Sequence, residues 1–326
     1  MNWSRFISLA RFHRIQGLVW NALAPFATSI PKHAAQELSS DARSIAATNL
    51  AIARECTELK KAFAIRDAAL LFVKGLTVAA LAYRSPMLKM AWDIDVLIDP
   101  LDLGSAADTL IARGFILRLP STPANLQSWH SRSKESVWSR PDGLHVELHT
   151  ALADSSTLIS ALDVNSNSQE VEILPGHSLP TLAKDELFTY LCVHGASSAW
   201  FRLKWITDLA ALLHQQTPVE LERLYRCSLE MGAYRASAQA LLLADNLYDS
   251  LEGTCLRKEL EQKWINRALA LLAVSQVLNR DAVDPTSQFL GTWRIHLNQL
   301  SIGGGLIFAF QDICRQIASR SHQRRR

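Results

Sequence analysis

The sequence predicts an α+β fold, in which a small mixed sheet with its helices is flanked by N-terminal and C-terminal helical regions. Three observations carry this expectation. Residues 32–65 contain neither proline nor glycine and keep apolar side chains at helical spacing. Between residues 69 and 149, short apolar runs alternate with glycine and proline turn signals, the pattern of strands joined by turns. From Leu182 onward the chain reads as helical to near its end. The 326 residues then divide into a helical region at 1–66, a mixed core at 67–180 and a helical domain at 181–326.

In the first region Phe6, Leu9, Ala10, Ile15, Leu18 and Val19 recur at roughly helical spacing, and Pro25 and Pro31 break the chain. A second helix over Lys32 to Ile65 follows. Leu70-Leu71-Phe72-Val73 reads as a short buried strand, Lys74-Gly75 as a turn, and Leu76 to Tyr83 as a short helix. Trp92 to Ile98 is an acidic strand ended by Pro100. Leu103, Ala107 and Leu110 share one face of the next helix, which Gly114 caps. Phe115 to Leu119 reads as a strand and residues 120–128 as a loop. Pro141-Asp142-Gly143 is a turn signal between strands at 137–140 and 144–149. Residues 151–180, with Pro175-Gly176 and Pro180, read as transitional.

Composition excludes several classes. A hydrophobic content of 48% marks a globular chain, and a net charge of +3 gives no general argument for nucleic-acid binding. Five cysteines, widely spaced and without a C-x-x-C pair, argue against a disulfide framework or a zinc site and for a reducing compartment. No run approaches the ~18 apolar residues that span a bilayer; Leu300 to Phe310 comes nearest, but it is short and interrupted by Gly303-Gly304-Gly305. No long apolar leader opens the chain, so the expectation is a soluble, cytoplasmic protein with no membrane partner. Arg315, Arg320 and Arg324 to Arg326 make a basic end that is either a solvated terminus or a phosphate-contacting tail. G-x-S-x-G, H-E-x-x-H and G-x-G-x-x-G are absent, and nothing orients His130-Ser131 or Ser133-Lys134 for hydrolysis.

The chemistry gathers on Asp93-Ile94-Asp95. In an extended strand the two acids share one face while Ile94, Val96 and Ile98 share the other. Paired carboxylates on a rigid strand suit a hard divalent cation, Mg²⁺ or Mn²⁺; they also suit a solvent-facing strand end. Lys74-Gly75, between a strand and a helix, lets the backbone approach a phosphate at a helix N-terminus, or is an ordinary turn with a solvated lysine. The second hairpin strand puts His145, Glu147 and His149 on one face and Val146 and Leu148 on the other. Farther on, Trp200, Leu203, Ile206, Ala210 and Leu213 form an apolar helical stripe, with Lys204 and Asp208 four apart on another side.

Taken in order, Lys74-Gly75, Asp93-Ile94-Asp95, Val146-Glu147-Leu148-His149 and the block His194-Gly195 with Trp200-Phe201-Arg202-Leu203-Lys204-Trp205-Ile206-Thr207-Asp208 resemble the bacterial uncharacterised nucleotidyltransferase family, over roughly residues 66–215. A more distant likeness is to abortive-infection and toxin nucleotidyltransferases. The resemblance implies a nucleotidyltransferase-like core and a Mg²⁺-dependent transfer of a nucleotidyl group from an NTP to a hydroxyl or phosphate acceptor. It implies that Asp93, Asp95 and Glu147 hold metal and that Lys74 and Gly75 cradle phosphate. It also implies that Lys89 contacts the triphosphate (with Arg84 a competing candidate), that His149 lies near the metals, and that His194, Lys204 and Asp208 face the site from the helical domain. Two departures stand out: Glu147 where relatives usually have Asp, and Ser198 where they often have a second histidine. Family members near peptide natural-product genes imply a peptide acceptor, and the toxin relatives imply tRNA. A protein or small-molecule acceptor, and a degenerate module that only binds nucleotide or a partner, stay open.

Overall fold

The computed structural model describes residues 1–155, 157–278 and 293–303. The basic C-terminal end, Cys314 and the apolar stretch beyond Gly303 lie outside the described residues. Within them the chain is mixed α+β, with helical regions toward both ends. It divides into two compact units: residues 1–154 with 162–187, and residues 155–161 with 188–326.

The first unit begins with α1 (Trp3–Phe12), α2 (Gln16–Leu23) and α3 (Lys32–Ile65). The expected single N-terminal helix is two, because Arg14 takes a left-handed backbone conformation (φ 56°) that no helix accommodates. The long α3 forms as the sequence predicts. Leu38, Ile45, Ile52 and Leu59 recur every seven residues and are buried, with Asn49, Cys56 and Phe63 beside them on the same buried side. Each such apolar side chain removed from water contributes roughly 1.5–3 kcal/mol.

The sheet is built from β1 (Leu70–Phe72), β2 (Ile94–Ile98), β3 (Ile116–Leu119), β4 (Glu135–Ser139) and β5 (His145–His149), in the order β1-β2-β5-β4-β3. The pairing of β2 with β5 is parallel and the other three are antiparallel. Between strands come α4 (Leu76–Tyr83), α5 (Leu103–Ala112) and the short α6 (Leu126–His130), so residues 120–128 are partly helical rather than a loop. One sheet face carries Phe72, Ile94, Val96, Ile98, Val146 and Leu148 into a core shared with Ile52, Leu59 and Phe63 of α3 and with Leu103, Ala106 and Leu110 of α5. The opposite face carries Asp95, Glu147 and His149 beside the buried Leu71 and Leu97.

Residues 151–180 are not merely transitional. They contain the hairpin β6 (Ser168–Leu174) and β7 (His177–Leu182), whose Ile173 and Leu179 enter the same core. Pro175-Gly176 is its turn, with Gly176 at φ 74°, and Pro180 sits within β7, whose one ladder partner among the described residues is β6.

The second unit is helical. The helix α7 (Lys184–Ser197) enters it from residue 188, and α8 (Leu203–Leu213), α9 (Pro218–Glu230), α10 (Arg235–Tyr248), α11 (Leu256–Gln262), α12 (Trp264–Val277) and α13 (Trp293–Ile302) follow. Residues 236–245 of α10 are all buried, and α8, α9, α11, α12 and α13 pack against this helix. Its Gln239 donates to Leu269 O and to Asn298 Oδ1, satisfying a buried amide inside the bundle.

Candidate active site

The polar face of the sheet is set by strand register. Asp95 on β2 is the register partner of Glu147 on the parallel β5, so the two carboxylates stand side by side. Two residues on, His149 completes the group: one ligand atom from each of the three lies within 4.8 Å of the others. Asp95 and His149 are buried and Glu147 is half-buried. His149 Nε2 lies 3.1 Å from Asp95 Oδ1 and 3.6 Å from Glu147 Oε2.

Lys74 leaves the end of β1 and turns its ammonium onto this pair, 2.5 Å from Asp95 Oδ1 and 3.8 Å from Glu147 Oε2. The turn that aims it is well fixed. Gly75 adopts φ 68° and ψ −120°, a conformation essentially restricted to glycine, and caps the N-terminus of α4. The Thr77 hydroxyl donates to Phe72 O and Lys74 O, and Val73 N–H reaches Asp95 O. A small pocket opens beside this turn, lined by Lys74, Gly75, Thr77, Asp93 and Asp95 and by the apolar Ile52, Phe72 and Leu179. Cys56 lies on its wall, where burial pushes the thiol up and leaves it inert.

Asp93 does not lie in β2. It occupies the bend just before the strand, half-buried, and joins Asp95 in lining the pocket rather than in the tight three-residue group. Lys89 is buried, whereas its competitor Arg84 is exposed in a left-handed cap after α4. The segment carrying Lys89 is pinned by Asn49, whose buried amide donates to Pro86 O and Lys89 O and accepts from Ala91 N–H. Gly17 of α2 lets the same segment approach, since a Cβ there would lie 2.2 Å from Leu88 O.

Charge separates the two carboxyls. Burial alone would raise Asp95, but the Lys74 ammonium and the His149 hydrogen bond outweigh it and hold Asp95 well below the usual carboxylate range. Glu147 goes up, through burial and then repulsion from Asp95 and Glu135, against the pull of His149 and Lys74. Burial disfavours a charged His149, yet its bonds to Asp95 and Glu147 prevail and raise it. Asp95 is thus the firm anion of the pair and Glu147 the readier to take a proton.

These donors fit a divalent cation. Two carboxylates and an imidazole nitrogen converge within ligand range, a set that suits Mn²⁺ as well as the more oxygen-loving Mg²⁺. A cationic group already lies against the carboxylates in the form of Lys74.

Reasoning from sequence missed Glu135. It faces His149 across the β4–β5 hairpin, with Oε2 3.4 Å from Nδ1. The turn at residues 141–143 held the signal: pairing 139 with 145 and 137 with 147 puts 135 opposite 149. Nearby, His130 Nδ1 lies 2.8 Å from the Thr150 hydroxyl, and burial lowers its pKa to about 4.

The remaining expected residues belong to the second unit. His194 on α7 packs its ring between Tyr190 and Trp205. Gly195 makes room for the fully buried Trp200, because a Cβ there would lie 2.2 Å from the indole. Trp200 is therefore a core residue, and its indole N–H lies 3.3 Å from Gln239 Oε1. On α8 the Lys204 ammonium sits 5.6 Å above Trp205, and Asp208 is buried.

A family model described as uncharacterised nucleotidyltransferase matches residues 1–249, which takes in α1 to α3 as well as the sheet and the first helices after it. A comparison with curated proteins gave no match. No described helix is long and apolar enough to cross a membrane.

Proposed function

The chain belongs to the uncharacterised nucleotidyltransferase family, and we propose that it transfers a nucleotidyl group from an NTP to a hydroxyl or phosphate acceptor with the help of Mg²⁺ or Mn²⁺. The observation that carries this reading is the register pairing of Asp95 with Glu147, with Lys74 turned onto both. In this proposal Asp95 and Glu147 hold the cation, with His149 beside them and Asp93 at the pocket edge. Bound there, the cation would neutralise phosphate charge and stabilise the attacking and leaving oxygens. Asp95, kept ionised by its surroundings, is the permanent ligand. Lys74 and the Gly75 turn at the start of α4 receive the phosphates, and Lys89, in the segment that Asn49 pins, is proposed as a further triphosphate contact. For Lys204, Asp208 and His194 we propose the roles the resemblance implies, Lys204 as a phosphate contact and Asp208 as its orienting partner or a base.

Calorimetry with Mn²⁺ and each NTP tests the site. Wild type is expected to bind NTP in a cation-dependent way, and Asp95→Asn to lose that binding. Equal binding by the two proteins would sink the assignment. The acceptor is a separate question: labelled NTP incubated with cell extract should place label in peptide, protein, tRNA or small molecules.

A second reading is a module that binds nucleotide or a partner without transfer. What favours it is the Lys74 ammonium already resting on the carboxylates, together with Glu147 in place of aspartate. Pyrophosphate released above the Asp95→Asn background excludes this reading.

A further inference from the structure

We infer that Trp92 is the platform on which the base of the NTP stacks, and that Arg14 is a positioning residue that backs its indole from the other face. The inference deepens the nucleotidyltransferase reading above and rests on it, since the phosphates are those received by Lys74 and the Gly75 turn.

Trp92 is 54% exposed, whereas Ala91 and Ile94 on either side are buried and Asp93 is half-buried. The other tryptophans of the first unit, Trp3, Trp20, Trp129 and Trp138, are buried or half-buried. Single exposed apolar residues are common and carry no meaning alone. Three features set this one apart. The first is its place. Asp93 lines the pocket, and its carbonyl oxygen lies 3.7 Å from where a Cβ on Gly75 would stand, so the chain passes directly beside the phosphate-receiving turn. Trp92 is one residue upstream, ~3.8 Å away along the Cα trace. In a nucleotide one ribose separates the base from its first phosphate, so a ring mounted beside the phosphates meets the base.

The second feature is the stem that carries the ring. Asn49 holds Lys89 O and Ala91 N–H, Gln16 Nε2 donates to Met90 Sγ, and Gly17 closes on Leu88 O. Residues 88–91 are thus fixed from two helices, and a ring on a fixed stem has little freedom left to lose on binding. The third is the backing of the ring. After α1 the left-handed Arg14 (φ 56°) turns the chain, and Ile15 N–H returns to Ala10 O. This turn sets the Arg14 guanidinium 5.2 Å from the centroid of the indole, in cation–π range. It is the one aromatic or cationic contact of that indole among the described residues. With Arg14 on one face, the exposed face is the one offered to a base. Every base has a π-face, so such a platform accepts all four, and the two-ringed purines cover more of the indole.

The experiment uses calorimetry on the full chain with Mn²⁺ and non-hydrolysable analogues of ATP, GTP, CTP and UTP, with inorganic tripolyphosphate as a probe that has no base. Wild type is expected to bind the purine analogues more tightly than the pyrimidine ones. Trp92→Ala should weaken the nucleotides by roughly 5- to 150-fold and leave tripolyphosphate unchanged. Trp92→Phe should recover part of the loss. Nucleotide binding should quench tryptophan emission in wild type, and Trp92→Phe should remove most of that quench. Arg14→Met should lose part of the nucleotide affinity with tripolyphosphate again unchanged, and Arg14→Lys should restore it. Undiminished nucleotide binding by Trp92→Ala overturns the inference and leaves the nucleotidyltransferase reading standing. An equal loss of tripolyphosphate overturns it as well, because Trp92 would then only hold the segment before Asp93. Arg14→Met with wild-type affinity for nucleotides refutes the positioning role. Wild type binding neither nucleotide nor tripolyphosphate sinks the nucleotidyltransferase reading, and this inference with it.

Discussion

Replacing Lys74 with methionine keeps an unbranched side chain one atom shorter and deletes the charge that rests on Asp95. The contact is largely out of water, with side-chain exposures of 15% for Lys74 and 2% for Asp95. Removing one partner of a buried ion pair commonly costs about 3–5 kcal/mol, because the other charge is stranded. Here His149 still bonds Asp95, so the low end applies, about 3 kcal/mol. For a unit of this size that lowers the melting temperature by roughly 6–12 °C, at about 2–4 °C per kcal/mol. A divalent cation can take the vacated place. At a concentration 100-fold above its Kd it returns about 2.7 kcal/mol, close to the whole loss. In wild type the same cation must first displace the ammonium, so it stabilises less. The assay is thermal unfolding at pH 7, with and without Mn²⁺, for both proteins. The reasoning predicts a large Mn²⁺-dependent rise for Lys74→Met and a smaller one for wild type. Equal rises, or a Lys74→Met protein as stable as wild type without metal, would refute it.

Gly75→Ala should cost about 1–3 kcal/mol in denaturant unfolding, since only glycine tolerates that backbone conformation. The new Cβ would lie an ordinary 3.7 Å from Asp93 O, so the penalty is backbone strain rather than a clash. Asn49→Ala should cost about 2–4 kcal/mol, because it strands two carbonyls and an N–H in the buried segment before Asp93; its NTP affinity, measured below the unfolding range, should fall as well. His130 supplies a pH test. Its folded pKa of about 4 lies below the ordinary value of 6.5, so the fold favours the neutral ring. That stability is full above pH 6.5 and is lost as pH falls toward 4. Between those limits wild type should lose stability more steeply than His130→Asn, by about 0.7 kcal/mol per pH unit, half the one-proton maximum because the ring is partly exposed to screening solvent.

What the sequence makes legible follows from how local each signal is. The long helix α3 could be read because absent breakers and an apolar stripe are properties of one segment. The turns at Lys74-Gly75 and Pro141-Asp142-Gly143 were equally local. The side-by-side placement of Asp95 and Glu147 was expected from the resemblance; the physical cause is a parallel pairing between strands some fifty residues apart, and no spacing rule reports that. The β6–β7 hairpin was missed because Pro175, Gly176 and Pro180 look like breakers, while the alternation of Val171 with Ile173 is too short to outweigh them. Asn49 was missed because a lone polar residue in an apolar stripe is identified only by what it meets, here the carbonyls of Pro86 and Lys89. Asp93 was placed in the strand because alternation carries no information about where a ladder begins.

The charges on the polar face suggest how cation and nucleotide would be coupled. Asp95, Glu147 and Glu135 face Lys74, Lys134 and the ring of His149, so the group is close to balanced as it stands. A divalent cation arriving alone adds positive charge and must compete with the Lys74 ammonium. A triphosphate arriving alone meets Asp95, which stays ionised. Arriving together, each offsets the other: the phosphates draw the displaced Lys74 toward themselves, and the cation screens Asp95 from the phosphates. By linkage, each should then tighten the other's binding by the same factor. In Lys74→Met the competition is gone, so the cation should bind well alone and that mutual factor should shrink. Titrating Mn²⁺ with and without a non-hydrolysable NTP measures it directly, and a factor that survives the substitution unchanged would show that Lys74 does not link the two.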